Sequence, residues 1–278
     1  MSVNTDVPGR RSIQVETEVP GTPEEVWRAI ATAEGISSWF VPTRTENNAD
    51  GTPRTMVMNF GPGMDVSAPI TAWDPPRRFS AESEIMPGGP RMATEWTVEA
   101  RSGGTCRVRV VHSLFASTAD WDDQLEGTES GWPGFFTILR LALTHFRGQP
   151  AASFNLMSAS TQAESDAWTS FLSAVGLTDA KTGSRVTTGP NAPQLAGTVE
   201  ERGGGKHPNT ILLRVDAPQP GVVSMWACTM SGTVFLGIQS YFYGAQAGAA
   251  AAQTQPQWEA WLQREFPAPG PTAPAVAS

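Results

Sequence analysis

Short stretches of alternating apolar and polar side chains, each cut off by a turn signal, fill the first half of the chain and leave few folds open to it. Ile13, Val15, Thr17 and Val19 alternate with Gln14, Glu16 and Glu18, and one apolar face at period two is the pattern of a half-buried strand. The same parity groups Met56, Met58 and Phe60, then Val66, Ala68, Ile70 and Ala72, then Phe79, Ala81, Ser83 and Ile85, then Thr94, Trp96 and Val98. Asp50-Gly51, Gly61-Pro62-Gly63, Asp74-Pro75-Pro76, Pro87-Gly88-Gly89-Pro90 and Gly103-Gly104 separate these runs, as the turns of an antiparallel meander would. A last strand is expected from about Thr105 to Phe115.

Helical signals bracket the meander. Thr22-Pro23-Glu24-Glu25 offers a cap, a proline at the first helical position and a glutamate to close a capping box. Val26, Trp27, Ile30 and Ala31 then form one apolar stripe, and a second short helix is expected over Ala33–Ser38. Beyond the meander, Trp132, Phe135, Phe136, Leu139, Leu143 and Phe146 share a helical face, with Pro133 placing the regular start near Trp132. The order strand, helices, meander, long helix is an α+β pattern.

The second half repeats the first in weakened form. At a shift of 141, Val26, Trp27, Ile30 and Ala31 fall on Ala167, Trp168, Phe171 and Leu172, and Ile13 and Val15 on Phe154 and Leu156. Thr161 and Glu164 offer another capping box, and Gly176 a helix stop. At a shift of 128 the last strand lies over Thr233 to Tyr243, His112 falling on Ser240; Trp96 lies near Trp226, and Trp132 near Trp258 and Trp261. A degenerate tandem duplication follows, the second copy short by about one strand. The expected organisation is a disordered N-terminus 1–11, a first domain 12–148, a second domain 152–266 and a disordered tail 267–278 rich in Pro and Ala.

Val19-Pro20-Gly21-Thr22-Pro23-Glu24-Glu25-Val26-Trp27-Arg28-Ala29-Ile30 with Ser38-Trp39-Phe40, Val110-Val111-His112-Ser113 and Gly131-Trp132 resembles the SRPBCC (START-like) superfamily. The nearest branch is that of homologues of the activator of the heat-shock-protein-90 ATPase, C-terminal domain. The resemblance covers about 12–147 and is weak over 153–266. It implies a helix-grip fold, a curved antiparallel sheet around a long C-terminal helix with a cavity between them. Such concave apolar sites commonly hold small molecules.

Charge excludes other partners. Nineteen Lys plus Arg against 27 Asp plus Glu give a net charge of −8, the wrong sign for nucleic acid or an anionic membrane surface. No run approaches the roughly 18 apolar residues that span a bilayer. Two distant cysteines, Cys106 and Cys228, make neither a disulfide scaffold nor a thiolate metal cluster. A cytoplasmic protein is expected.

His112 shares its parity with Cys106, Val108, Val110 and Leu114 and so faces the cavity, where an imidazole can act as general base or simply sit hydrogen-bonded in the core. Asp120, Asp122, Asp123, Glu126 and Glu129 read as a solvated face ahead of a helix. His112, His145 and His207 share no metal-ligand spacing, so no metal and no cofactor are expected. Gly203-Gly204-Gly205-Lys206 is a hairpin turn rather than a phosphate loop. Trp73 breaks parity with Ile70 and Ala72 and is assigned to the outer face.

The ligand-binding set expected from this reading is Trp39, Phe40, Met58, Trp96, Val110, His112, Trp132 and Phe136, contacting a small apolar or aromatic molecule. Two other functions stay open: a cyclase/aromatase-like enzyme using His112, and a chaperone-associated interaction module. Where the first copy has Arg107, Ser113 and Phe115, the second has Phe235, Tyr241 and Tyr243. This outer aromatic face is expected to be covered, by the first domain or by a second chain in a homo-dimer.

Overall fold

The computed structural model describes residues 3–4, 10–61, 63–84, 90–115, 122–204, 207–230 and 232–268. The chain divides between Gln149 and Pro150 into two compact units. The first comprises β1 (Arg11–Pro20), α1 (Pro23–Ala31), α2 (Ala33–Ser37), β2 (Thr43–Asn47), β3 (Pro53–Asn59), β4 (Asp65–Asp74), β5 (Arg78–Glu84), β6 (Arg91–Arg101), β7 (Thr105–Leu114) and α3 (Asp122–His145). The second comprises β8 (Ala151–Ser160), α4 (Glu164–Val175), β9 (Arg185–Thr187), β10 (Ala196–Gly204), β11 (His207–Ala217), β12 (Gly221–Met230), β13 (Thr233–Tyr243) and α5 (Ala247–Glu265).

Each unit is one antiparallel sheet with helices on one face. The first sheet runs β1-β7-β6-β5-β4-β3-β2 and the second β8-β13-β12-β11-β10-β9. In both, the last strand returns to pair with the first, and the helix that follows packs across them. Among the described residues the second sheet has one strand fewer, and its unit has no counterpart of α2.

Local chemistry accounts for the first turn after β1. Thr22 Oγ1 accepts from the Glu25 amide and the Glu25 carboxylate accepts from the Thr22 amide, the reciprocal box read from the sequence. α1 then buries Val26, Trp27, Ile30 and Ala31. Glu25 also holds Arg147, just past the end of α3, at 2.9 Å.

Several expectations give way to tertiary effects. Trp73 faces inward: the β4–β5 register slips between Ile70 and Ala72, and one extra residue flips the parity beyond it. Its ring lies 5.0 Å from that of Trp27 and 5.8 Å from Phe79. α3 begins ten residues earlier than Trp132, at Asp122; Pro133 removes only the bond its own N–H would give to the Glu129 carbonyl, and burial of the stripe outweighs it. α4 has no box at Thr161. Its N-cap is Ala163 without a side-chain bond, because Glu164 instead accepts from Asn209 and Thr229 at 2.8 and 2.7 Å. Trp226 is not placed like Trp96. It lies on the outer face of its sheet over Gly237, where a Cβ would stand 2.2 Å from the indole.

The N-terminal segment is partly tied down. Asn4 bridges to Ser12 on the side of β1 that no strand of the sheet covers, and Arg10 donates to Ser113 Oγ at 2.7 Å. Residues 269–278 of the Pro/Ala tail lie outside the described residues, as do Asp120 of the acidic run and Gly205-Lys206 of the glycine turn. Of the second unit's aromatic face, Tyr241 and Tyr243 are each 2% exposed and Phe235 is half-buried. Burial raises both phenols above their ordinary pKa. Among the described residues no helix is long and apolar enough to cross a membrane.

Gly176 ends α4 in the left-handed conformation, φ 80°, as the sequence indicated. A Cβ there would lie 2.7 Å from the Gly189 amide nitrogen. Gly176→Ala is therefore expected to cost roughly 1–3 kcal/mol, read as a lower urea midpoint for the second unit, whereas Gly183→Ala, with open space around its Cβ, pays only for its positive φ.

Candidate functional site

The inner face of the first sheet is defined by the residues whose side chains meet α1 and α3. Phe79, Ala81, Trp96, Val98, Cys106, Val108, Val110, His112 and Leu114 are buried on it. Cross-strand register sets Trp96 opposite Phe79 and Val110, and Thr94 opposite Ala81 and His112. α3 presents a stripe at spacings of four and three, Leu125, Glu129, Trp132, Phe136, Leu139, Leu143 and Phe146, every member buried. Spacing of that kind places all seven on one side of a helix.

Seven of the eight residues expected to bind ligand come together here. Trp96 stands edge-on to Trp132 at 5.1 Å and to Trp39 at 6.2 Å, and Phe136 is tilted against Trp132 at 5.4 Å. Phe40 stacks on Trp132 at 5.4 Å and His112 does so at 5.6 Å. Val110 is fully buried beside Trp96. Met58 lies apart from these rings on β3, on the inner face opposite Val66. Phe135, which the sequence put on the helix stripe but not in the binding set, touches Phe40 at 4.6 Å. The indoles of Trp39, Trp96 and Trp132 are thus packed against one another in sequence and against Phe40 and Phe136, forming one wall of the candidate site.

His112 is held at both nitrogens. Trp132 Nε1 lies 2.9 Å from Nε2, and Thr94 Oγ1 lies 2.9 Å from Nδ1. An indole N–H can only donate, so Nε2 is the acceptor and the ring proton sits on Nδ1, donated to Thr94. Burial pushes the imidazole pKa down to about 4, so the ring is neutral at pH 7. This is the chemistry of a polar tie between sheet and helix. To act as a base, His112 would have to give up the indole. Thr94 was missed in the sequence because a threonine on a strand carries no signal of its own; only the register reveals it.

Of the acidic run, only Glu129 has its side chain among the described residues, and it is not on a solvated face. Glu129 is 9% exposed, and its Oε2 has no hydrogen-bond partner. The signal was available: 129 falls between 125 and 132 on the apolar stripe. Among the described residues no group of three His, Cys, Asp or Glu is placed to hold a metal.

Burial is incomplete on the inner face, most of all toward the β3–β4 side. Met58, Ile70, Met92 and Thr94 face inward by strand register yet are only partly buried, as are Phe40 and Phe135 beside them. These half-buried apolar side chains make an apolar trough open to solvent, the kind of surface a small apolar molecule can cover. A separate open groove of about 350 Å³ between α1 and the β4–β5 turn is lined by Glu24, Trp27, Arg28, Thr32, Pro75 and Pro76, none of them in the expected binding set.

Comparison with known proteins bears on this unit. Residues 10–147 match the polyketide cyclase / dehydrase and lipid transport family. That is an SRPBCC-type family, so the superfamily reading holds for the first unit at this coarser level. No curated protein matches the chain. Among solved structures the chain is similar to the di-domain ARO/CYC BexL from the BE-7585A biosynthetic pathway, at 17% identity over 91% of this chain and 92% of that one, TM-score 0.42. It is also similar to CalU16 from Micromonospora echinospora, at 19% identity over 52% and 83%, TM-score 0.40. The Aha1 dimer from Colwellia psychrerythraea gives 20% identity over 48% and 95%, TM-score 0.38.

The tie at His112 predicts a pH dependence. The unfolded imidazole titrates near 6.5 and the folded one at about 4, so the unfolded chain binds the extra proton between those values. Stability is whole above pH 6.5 and falls by roughly 3 kcal/mol as pH drops toward 4. His112→Gln keeps an acceptor and a donor but does not titrate. Urea unfolding of the two proteins at several pH values is expected to show that loss in the wild type and a shallower one in the variant.

Proposed function

We propose that the first unit is a binding module for a small apolar or aromatic molecule, held between the inner sheet face and α3. The observation that carries this reading is the set of half-buried apolar side chains, Met58, Ile70, Met92, Phe40 and Phe135, beneath and beside a helix that buries everything else on its stripe. The family match over residues 10–147 supports it. The second unit is a degenerate duplicate with a structural role. Its strand and helix order follows the first less one strand and one short helix, and its core is closed by Phe154, Phe171, Trp258 and Trp261, each at most 5% exposed.

A second reading, a cyclase-like enzyme, is favoured by the family's own description. In that case the trough would act by folding a reactive chain into position. His112 is poorly placed to serve it as a base, since both ring nitrogens are engaged. His112 would instead keep Trp132 in place.

The test is native mass spectrometry of freshly purified protein together with calorimetric titration of polycyclic aromatic compounds. A retained mass or saturable binding is expected, and Ile70→Trp, which puts an indole into the trough at a partly open position, is expected to weaken it at least tenfold while leaving the circular dichroism spectrum unchanged. Titrations without saturation, or binding indifferent to Ile70→Trp, would remove the trough as the site.

A further inference from the structure

The burial of Glu129 asks for an explanation that packing alone does not supply. Its neighbours on the α3 stripe fix where it lies. One turn toward the N-terminus, Leu125 packs with Leu114 of β7 and Ile13 of β1, with Met92 of β6 beside them. One turn toward the C-terminus, Trp132 bonds to His112 of β7. The stripe thus sets Glu129 between the levels of Leu114 and His112, two residues apart on β7, whose partners on β6 are the half-buried Met92 and Thr94. It enters no ion pair among the described residues, and its Oε2 is enclosed without a donor.

A carboxyl oxygen taken from water without a replacement hydrogen bond destabilises the fold, and a charged one more so. A leucine at 129 would complete the apolar stripe, so the glutamate opposes the stability of the unit that carries it. Sites of that kind are commonly retained for binding or chemistry.

We infer that Glu129 is the polar anchor of the ligand site: its carboxylate accepts a hydrogen bond from an N–H or O–H group borne by an otherwise apolar ring system. The inference rests on the binding reading above and narrows it. A plain hydrocarbon leaves Oε2 unpartnered in the bound state. A ring carrying an amine or a hydroxyl partners it and gains orientation, with the apolar body along Met92 and the donor toward α3.

Three probes of matched size separate the possibilities: 2-naphthol, 2-naphthylmethylamine and 2-methylnaphthalene, titrated calorimetrically into wild type, Glu129→Gln and Glu129→Leu. At least one donor-bearing probe is expected to bind wild type about tenfold or more tightly than 2-methylnaphthalene. Glu129→Leu is expected to erase that advantage, keep 2-methylnaphthalene binding and raise the urea midpoint, which also shows that the variant folds. Glu129→Gln distinguishes the donors: the amine advantage collapses without the negative charge, whereas a hydroxyl still finds the amide oxygen. Equal binding of all three probes to wild type, or an advantage that survives in Glu129→Leu, overturns the anchor and leaves the binding module standing. Failure of every probe to bind wild type overturns both.

Discussion

A helix laid across the concave face of a sheet forms no backbone hydrogen bonds with it, so its position rests entirely on side chains. In the first unit the polar part of that attachment is a chain of three groups, Trp132 of α3, His112 of β7 and Thr94 of β6. Apolar packing along the stripe supplies most of the affinity of helix for sheet, but packing is tolerant of sliding. A hydrogen bond from an indole to one imidazole nitrogen is not. The tie therefore fixes both the height of α3 along β7 and the facing of Trp132, and through Trp132 the placement of Phe40, Phe136 and Trp96.

With the helix pinned there, the division of the interior into filled and unfilled parts follows. Below Trp132 the stripe continues through Phe136, Leu139, Leu143 and Phe146 against a closed core. Toward the β3–β4 side, α3 does not reach far enough across a seven-stranded sheet to cover Met58 and Ile70. The same helix has Gly127, Gly131, Pro133 and Gly134 around the tie, a composition with low intrinsic helix preference. Its position in that stretch depends on what it touches rather than on its own propensity.

Much of this was legible in the sequence, and the parts that were not share a cause. Strand parity, the capping box at Thr22 and the stripe of α3 are local patterns, and local patterns survive folding. Trp73 was assigned to the wrong face because a bulge between Ile70 and Ala72 is invisible to parity counting. The Thr161 cap failed because Glu164 found better partners on β11 and β12, a contact across more than 40 residues. Trp226 could be aligned with Trp96 by type but not by facing, since only Gly237 across the strand pair makes room for its ring on the outside. Glu129 was read by composition, as one of a run of acids, when its spacing belonged to the apolar stripe. In each case a long-range partner or a register shift decided what a short window could not.

The second unit shows what the sheet–helix attachment looks like without the tie. Ser240 occupies the register of His112: each lies opposite an inner residue of the first strand of its sheet, Phe154 and Ile13 respectively. On the other side Val223 stands where Thr94 does. Neither the imidazole nor the threonine is present there, and Ser240 Oγ, Trp258 Nε1 and Trp261 Nε1 are buried without hydrogen bonds among the described residues. α5 is held instead by ring contacts, Trp261 edge-on to Phe171 at 5.5 Å and to Trp258 at 5.2 Å. An arrangement of that kind can be stable, because aromatic burial is worth more than one hydrogen bond. It also leaves no carboxyl on the buried stripe of the helix, whose members are Ala247, Ala251, Thr254, Trp258, Trp261 and Leu262. The polar groups that could select a ligand occur on the inner face of the first unit, and the positions of the second in the same register serve packing instead.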